Sequence, residues 1–425
     1  MRRFVSVALA TLLLGVGATN PLSTAAETLQ VFILDSENLM KAKNQIQSNN
    51  PTVLPAFNKL IRESDLALTS GTFSVVEKEL TPPSGDKHDY MSIAPYWWPN
   101  PNRSSGLPYV RRDGQINPER DQTSDRKRLE GMVQTTKTLS LGYFFTGREE
   151  YAAHARKILL AWFSDPATKM NPNLTYAQAI PGRSSGRGAG IIETHNLPEL
   201  LDAFAMLNRS KNWDPSNRRA LQDWFQAYLV WLLESREGQT EAKAQNNHGS
   251  WYDVQAASYA LYVGQNELAK KVLSDFPTRR IAKQIEPDGR QLRELQRSQA
   301  WNYSLFNLEA SFDAASIADK LGMDLWNYAT PDKRGMRKAL DWLLPFAVGE
   351  KKWSYQQISS WQPEKLAPFL RRAALQYREM SFENALSKLP GVIADQRFNL
   401  LYPKLVANEP FLRNSNTHSP APPPQ

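Results

Sequence analysis

Apolar residues recur at helical spacing through most of the chain beyond residue 123. In residues 127–145, for example, they fall along one face of a helix, as expected for a helix that packs on a core. Seven later segments repeat the pattern: residues 151–163, 197–207, 221–233, 254–263, 305–321, 336–346 and 366–377. Alternation typical of a strand is scarce, and residues 28–34 are the best short candidate. The pattern therefore predicts an all-α protein.

A repeat accompanies the helical period. Gly147, Gly264 and Gly322 each follow the end of a predicted helix, where glycine commonly adopts the left-handed conformation that stops it. They are spaced by 117 and 58 residues, which corresponds to two units and one unit of about 58, with Asn208 near the missing corner. Paired helices repeated at such a period can ring a central axis. We therefore expect an α/α toroid of six to seven helical hairpins, with an open superhelix as the alternative.

Two stretches interrupt the helical pattern. Residues 81–122 contain seven prolines, too many for a helix. Residues 171–192 contain two prolines, with glycines and serines around Arg183 and Arg187. Long loops in a compact domain are usually lids or binding loops, so both are candidates for covering a site.

The two ends of the chain lack the helical pattern of the rest. A short basic start precedes an apolar run, with Ala18 and Ala25 as plausible cleavage points, so residues 1–25 are predicted to be a signal peptide. That run is shorter than the roughly 20 residues of a membrane-spanning helix. We expect a secreted or periplasmic protein without membrane insertion, with its toroid domain at 26–409. Residues 410–425 are rich in Asn, Ser and Pro and are predicted to be disordered.

Composition narrows the chemistry. The chain has no cysteine, which excludes thiolate catalysis and cysteine-ligated metal centres. Its five histidines show no HxxxH spacing, so we predict no metal and no cofactor. The formal charge is +8, and loss of Arg2 and Arg3 with the signal would leave +6. A basic surface favours polyanionic partners, and for an exported protein an acidic polysaccharide is a better candidate than nucleic acid. A charge that serves only solubility is an equal alternative.

Two segments carry side chains suited to catalysis. In Asn246-Asn247-His248, an amide and an imidazole meet a predicted helix start, and that combination could hold a carboxylate. Plain capping of the helix by an asparagine is the simpler interpretation. In the second segment Arg297 and Tyr303 are six residues apart, so on one helix they would point about 120° away from each other. They could meet only if a helix begins between them.

These segments resemble a known family. Residues 246–251 resemble the Asn-Asn-His segment of the helical-toroid alginate lyases, and residues 297–308 resemble their arginine and tyrosine helix. Residues 88–100, with Tyr-Trp-Trp at 96–98, look like the start of the lid in a subgroup that includes alginate and glucuronan lyases. Residues 109–114 and 117–119 extend that likeness. The resemblance covers roughly residues 60–350 and implies a polysaccharide lyase on an α/α toroid.

The resemblance also implies roles for four residues in β-elimination. Asn247 and Arg297 would neutralise the uronate carboxylate. Tyr303 would remove H5 and protonate O4 where both lie on one sugar face, as in mannuronate and glucuronate. We expect Arg297 to lower the pKa of Tyr303 towards the phenolate. His248 would be the base for guluronate, whose H5 is on the other face, or would otherwise orient the carboxylate.

Further residues are candidates for binding the substrate. Tyr96, Trp97 and Trp98 could stack over a sugar or could pin their loop to the toroid. Arg111 and Arg187 could bind neighbouring carboxylates, although a solvated loop arginine is the simpler interpretation of each. Two further residues complete the set. His195 stands before a predicted helix, and Trp251 is near a catalytic segment, with a core position as the alternative.

Two rival functions remain open at this point. One is a glycoside hydrolase on the same toroid, which would need a pair of carboxylates. The acids near the supposed site are Glu193, Asp253 and Glu294, and nothing in the sequence pairs them. The other is a non-catalytic exported protein that binds polyanions through its basic residues alone.

Overall fold

The computed structural model describes residues 29–123 and 125–406. The predicted signal peptide and the predicted disordered tail lie outside the described residues. Within the described part the helices are α1 Ser36–Gln47, α2 Leu54–Ala67, α3 Asp125–Thr146, α4 Glu149–Phe163, α5 Pro198–Leu207, α6 Pro215–Glu234, α7 Arg236–Ala242, α8 Asn247–Tyr262, α9 Asn266–Phe276, α10 Ala282–Gln284, α11 Leu292–Leu295, α12 Ala300–Asp319, α13 Met336–Ala347, α14 Ala367–Tyr377, α15 Met380–Leu386 and α16 Phe398–Leu401. All eight helices predicted from the apolar period are present.

The helices divide into two kinds according to how they are buried. Helices α3, α5, α8 and α12 pack against one another in that order, and α8 and α12 are buried over nearly all of their surface. The intervening α4, α6 and α9, and α13 after them, alternate between buried and exposed positions, as helices do when only one face meets a core. Inner helices covered by outer ones form an α/α toroid. With α1–α2 and α14–α15, the described part contains six successive helix pairs.

Side chains from α3, α5, α12 and α14 surround a cavity of about 470 Å³ between the inner helices. Three clusters of buried apolar residues form the core. The first contains Trp301, the second contains Trp162 and the third contains Leu39. No helix in the described part of the chain combines the length and apolar character needed to cross a membrane.

The predicted corners are confirmed. Gly147, Gly264 and Gly322 have φ values of +72°, +82° and +73°, the left-handed region that ends a helix without a side-chain clash. Asn208 ends α5, as its place in the repeat suggested. Arg378 ends α14 with φ +58°, a corner that the sequence did not mark because arginine has no preference for that conformation.

The predicted strand at residues 28–34 is wrong for the described residues 29–34, which form an irregular segment. The backbone N–H groups of Phe32, Ile33 and Leu34 donate to the carboxylate of Asp202 on α5 at 2.5, 3.2 and 2.9 Å. One buried carboxylate thus satisfies the donors that would otherwise have needed a neighbouring strand.

The short strands lie in the two proline-containing loops. Strand β1, Met91–Ile93, pairs in parallel with β4, Tyr176–Ala179, and so joins the first loop to the second. Strand β2, Trp97–Trp98, pairs antiparallel with β3, Val110–Arg111, and makes a hairpin within the first loop. The loops are therefore ordered parts of the fold, and the first one reaches the corner between α11 and α12.

Candidate active site

The start of α8 is held by a carboxylate from another helix. Asn247 donates its backbone N–H and its side-chain Nδ2 to the two oxygens of Glu294 on α11, both at 2.7 Å. Asn246 precedes the helix in extended backbone and makes no side-chain cap. Glu294, rather than either asparagine, therefore caps the first turn of α8, and the simple capping interpretation is wrong.

Glu294 joins the two catalytic segments. Its side chain is only 1% exposed. Burial raises the pKa of Glu294, and the hydrogen bonds from Asn247 and the nearby Arg297 and His248 side chains oppose that rise. The start of α8 and the α11–α12 corner therefore meet at one buried carboxylate.

His248 lies one residue inside α8 and is held by a second carboxylate. Its Nδ1 atom is 2.5 Å from Oε1 of Glu241, the next-to-last residue of α7. The Glu241 side chain is buried, whereas the imidazole is partly exposed. The ring can therefore meet a substrate only through its other nitrogen, Nε2.

Arg297 and Tyr303 meet because the chain turns between them. Helix α11 ends at Leu295 and α12 begins at Ala300. The intervening turn brings the guanidinium carbon of Arg297 to 3.7 Å from the centre of the Tyr303 ring. A helix therefore begins between Arg297 and Tyr303, as their contact requires.

Asp113 in the first loop fixes the Arg297 side chain. Arg297 donates to its carboxylate from Nη2 at 2.8 Å and from Nε at 3.1 and 3.2 Å. The same carboxylate accepts from the backbone N–H and hydroxyl of Ser298 at 3.1 and 2.9 Å. Burial alone would raise the pKa of Asp113, but the hydrogen bonds and charge of Arg297 and the bonds from Ser298 lower it to about 2. Sequence reasoning assigned no role to Asp113, although it lies in the lid-like segment 109–114.

The approach of this loop to the corner is close enough to require a glycine. Gly114 has φ +70°, and a Cβ added there would lie 2.2 Å from the Ser298 hydroxyl. Gln299 also donates to the Gly114 carbonyl at 3.2 Å. The first loop is therefore packed onto the α11–α12 corner.

The Tyr303 hydroxyl lies 2.7 Å from the Tyr96 hydroxyl, which comes from the same loop. Burial raises the pKa of Tyr303 above its usual value of 10, and Tyr96 adds to the rise, while Arg297 opposes it. The expectation that Arg297 shifts this pKa towards the phenolate is thus right in the sign of its contribution and wrong in the net direction. Burial of the ring and the neighbouring Tyr96 hydroxyl outweigh the arginine, and the Asp113 carboxylate adds a smaller rise in the pKa.

The two tryptophans that follow Tyr96 contact loop arginines. Trp97 lies 5.2 Å from the guanidinium carbon of Arg183, and Trp98 lies 5.1 Å from that of Arg112. The Trp98 indole N–H also donates to a carbonyl of its own loop at 2.9 Å. Both residues stay partly exposed while they contact the loops.

His195 and Trp251 pack against each other beneath the site. Their rings lie 5.1 Å apart, and Phe306 of α12 lies 5.0 Å from the His195 ring. Trp251 is only 2% exposed, which agrees with the core alternative. Burial lowers the pKa of His195 to about 4 and outweighs its hydrogen bond to the Ile192 carbonyl, so this imidazole is neutral at physiological pH.

The two candidate arginines differ in their surroundings. Arg187 is largely enclosed, donates to the Gln178 side chain at 2.5 Å and lies near the charge of Glu241. Gln178 has φ +51°, an uncommon conformation for a residue with a side chain and one that often marks a functional region. Arg111 is exposed and pairs with Asp113 at 2.6 Å.

The three acids that were candidates for a hydrolase, Glu193, Asp253 and Glu294, are hydrogen-bonded or ion-paired to other side chains. Glu193 accepts from the hydroxyls of Tyr90 and Ser92 at 2.7 and 2.6 Å. Asp253 pairs with Arg280 at 2.7 Å, and Glu294 holds Asn247 as described above. Each buried carboxylate thus has its own set of partners. The described residues contain no group of three or more side chains arranged to bind a metal ion.

The chain belongs to the alginate lyase family, whose model matches residues 74–353. An alginate lyase from Bacteroides ovatus is 41% identical, with a TM-score of 0.85 over 88% of this chain and 99% of that chain. The protein is therefore a polysaccharide lyase.

More distant relatives share the fold. Alginate lyase A1-III from Sphingomonas species A1 is 16% identical, with a TM-score of 0.56 over 89% of this chain and 99% of that chain. A variant of A1-III complexed with a tetrasaccharide is 15% identical, with a TM-score of 0.57 over 91% and 99% of the two chains. A search of curated proteins gave no match.

Proposed function

We propose that the protein is an exported lyase that cleaves a uronate polymer, alginate or glucuronan, by β-elimination. The observation that carries this proposal is the arrangement of Asn247, Arg297 and Tyr303 around the α11–α12 corner, each fixed by a hydrogen bond or ring contact. The 41% identity with the Bacteroides ovatus alginate lyase supports the substrate class.

Asn247 and Arg297 bind the substrate carboxylate. Removal of H5 beside a free carboxylate would place two negative charges on neighbouring atoms, so that carboxylate must first be neutralised. Asn247 gives one Nδ2 hydrogen to Glu294 and has the second for the substrate. Arg297 adds a guanidinium cation, whose charge the paired Asp113 carboxylate partly offsets. Because both donors are held before the substrate arrives, little reorganisation accompanies the reaction.

Tyr303 carries the proton transfers. Its phenolate takes H5, the C4–O4 bond breaks as the C4=C5 bond forms, and the phenol returns its proton to O4. The raised pKa means that the resting side chain is a phenol, which must lose a proton before it can act as a base. That proton passes to solvent water, and the Tyr96 hydroxyl, 2.7 Å away in a partly exposed residue, is placed to relay it.

The loops supply the polymer-binding surface. Arg111 stands in the first loop, and Arg183 and Arg187 stand in the second, so each loop brings positive side chains to this region. Trp97 and Trp98 each present a partly exposed ring in the same region. Alternating carboxylates along a uronate chain match spaced arginines, and sugar rings match aromatic faces.

We propose further that residues 1–25 direct export to the periplasm or the medium. The basic start followed by a short apolar run supports this. Export would also place the enzyme where polymeric uronates occur.

The test is incubation of the purified protein with polymannuronate, polyguluronate and glucuronan while ultraviolet absorbance is recorded. β-Elimination creates a conjugated C4=C5 double bond, so absorbance should rise on at least one polymer. Release of saturated reducing sugars without that rise would indicate a hydrolase. Binding of all three polymers with no product would indicate a non-catalytic polyanion-binding protein.

A further inference from the structure

Glu241 stands behind His248 as a buried carboxylate that no sequence motif marked. The His248 Nδ1 atom lies 2.5 Å from Glu241 Oε1, and the Glu241 side chain is only 4% exposed. A carboxylate on one imidazole nitrogen decides which nitrogen carries the proton and how the ring is oriented. The geometry is that of the orienting acid in catalytic triads.

The segment between Glu241 and His248 is held in place by hydrogen bonds from Arg280. Arg280 is 2% exposed and donates from Nη2 to the Ala242 carbonyl at 2.9 Å and from Nη1 to the Ala244 carbonyl at 2.6 Å. Its Nε donates to Asp253 of α8 at 2.7 Å. One buried guanidinium therefore fastens the end of α7, and the segment that connects it to α8, onto α8 itself.

Two glycines permit the packing that this arrangement requires. A Cβ on Gly249 would lie 2.3 Å from Arg280 Nη1 and 2.2 Å from the Ala244 carbonyl oxygen. A Cβ on Gly188 would lie 2.6 Å from the Glu237 carbonyl oxygen of α7. Helix α7 is thus pressed between the second loop and α8, and Glu241 has little freedom to move away from the imidazole.

We propose that Glu241 is a positioning residue that keeps the proton of neutral His248 on Nδ1 and directs the unprotonated Nε2 towards the substrate. This inference rests on the proposed function, because it assigns a substrate-facing atom within that site. With Nε2 as a hydrogen-bond acceptor, neutral His248 can take a proton from a sugar but cannot donate to its carboxylate. Glu241 thereby selects the base role over the carboxylate-orienting role for the neutral ring.

A consequence for specificity follows. H5 of guluronate lies on the face opposite that of mannuronate, so a base other than Tyr303 must remove it. Loss of Glu241 should therefore reduce turnover of guluronate blocks more than turnover of mannuronate or glucuronate blocks, wherever the wild type cleaves both kinds.

The experiment compares Glu241→Ala with Glu237→Ala, which removes a carboxylate one turn earlier on the same helix. Kinetics are measured on each uronate polymer that the wild type cleaves. On guluronate blocks, where His248 is the base, we expect Glu241→Ala to lower kcat at least about tenfold with KM nearly unchanged, because general base catalysis typically contributes 10²–10⁴-fold. On mannuronate or glucuronate blocks, where Tyr303 is the base, the fall in kcat should be smaller. Glu237→Ala should keep kcat within about twofold, and circular dichroism should show both variants folded.

Nitrogen-15 correlation spectra of the imidazoles, with His248→Ala for assignment, read the tautomer directly. In the wild type and in Glu237→Ala the His248 proton should be on Nδ1, and in Glu241→Ala it should redistribute towards Nε2. A wild-type proton on Nε2, or an unchanged kcat on guluronate blocks in folded Glu241→Ala, would overturn the inference. The wild-type spectrum decides the tautomer even if a variant fails to fold.

The two proposals fail in different ways. If the wild type forms no unsaturated product from any uronate polymer, the proposed function is contradicted, whatever the tautomer. If the wild type is an active lyase but His248 carries its proton on Nε2, the role of Glu241 is contradicted and the lyase assignment stands.

Discussion

The guanidinium carbon of Arg297 lies 3.7 Å from the centre of the Tyr303 ring, and Asp113 from the first loop holds it there. The contact places a cation beside the proposed acid–base residue. Burial and the Tyr96 hydroxyl nevertheless hold the pKa of Tyr303 above its usual value, and the Asp113 carboxylate adds a smaller rise. The site is therefore assembled jointly by the toroid and the loop.

Asp113→Ala should lower kcat by about 10–100-fold, because a displacement of about 1 Å in a catalytic group can cost 10²-fold. Affinity for the polymer should not fall, since the change removes a negative charge beside Arg297. Steady-state kinetics and a polymer-binding assay check both statements. Asp121→Ala, in the same loop, is the matched control and should leave kcat within about twofold. A large rise in KM with kcat unchanged would contradict this role of Asp113.

The same aspartate should make stability depend on acid pH. Its pKa in the folded protein, about 2, is below the usual 3.8, so its contribution is fully present above about pH 4 and is lost as the pH falls towards 2. The difference in free energy of unfolding between wild type and Asp113→Asn should therefore be constant near neutral pH and shrink below pH 4. Denaturation curves at several pH values measure it. A difference that grows on acidification would have the wrong sign.

Asn247→Ala should reduce stability as well as rate. It removes the Nδ2 hydrogen bond to Glu294 and leaves one oxygen of a buried carboxylate without that donor. Leaving a buried polar group unsatisfied costs about 1–3 kcal/mol. Chemical denaturation should show a loss in that range together with a strong fall in kcat. A variant as stable as the wild type would show that Glu294 finds another donor.

The rate at low polymer concentration should fall as salt is added. Charges that steer a polyanion are screened over about 8–10 Å at physiological ionic strength. We expect KM to rise with sodium chloride while kcat changes little, and Arg111→Ala, which removes an exposed loop arginine, should weaken the dependence. A KM that is indifferent to salt would place the basic charge away from the polymer.

The sequence was sufficient for most of the fold. Apolar spacing predicted eight helices, and the glycine corners predicted their pairing, because both depend on local geometry. Helices α1 and α2 were missed, since their short amphipathic pattern lies before the long periodic region. The strand at residues 28–34 was wrong because Asp202, about 170 positions away, satisfies its backbone donors.

The sequence named candidate catalytic residues but not the side chains that hold them. The resemblance pointed to Asn247, His248, Arg297 and Tyr303. The sequence assigned no supporting role to the carboxylates that hold three of them, although Glu294 and Asp113 lie in segments that it singled out. An acidic side chain in a loop or a helix usually marks solvent exposure. Asp113 is 184 positions from Arg297, and only the folded chain shows that they meet.

Tyr303→Phe tests the central claim most directly. The substitution removes one hydroxyl, which serves as base and acid in the proposed elimination and contacts Tyr96 at 2.7 Å. General acid–base catalysis typically contributes 10²–10⁴-fold, and two transfers by one group place the expected loss at the upper end. The measurement is the initial rate of unsaturated product formation on the preferred uronate polymer, with polymer binding and circular dichroism recorded on the same sample. We predict a folded variant that binds the polymer normally and turns over about 10³–10⁴-fold more slowly; a folded variant with a near wild-type rate would contradict the mechanism.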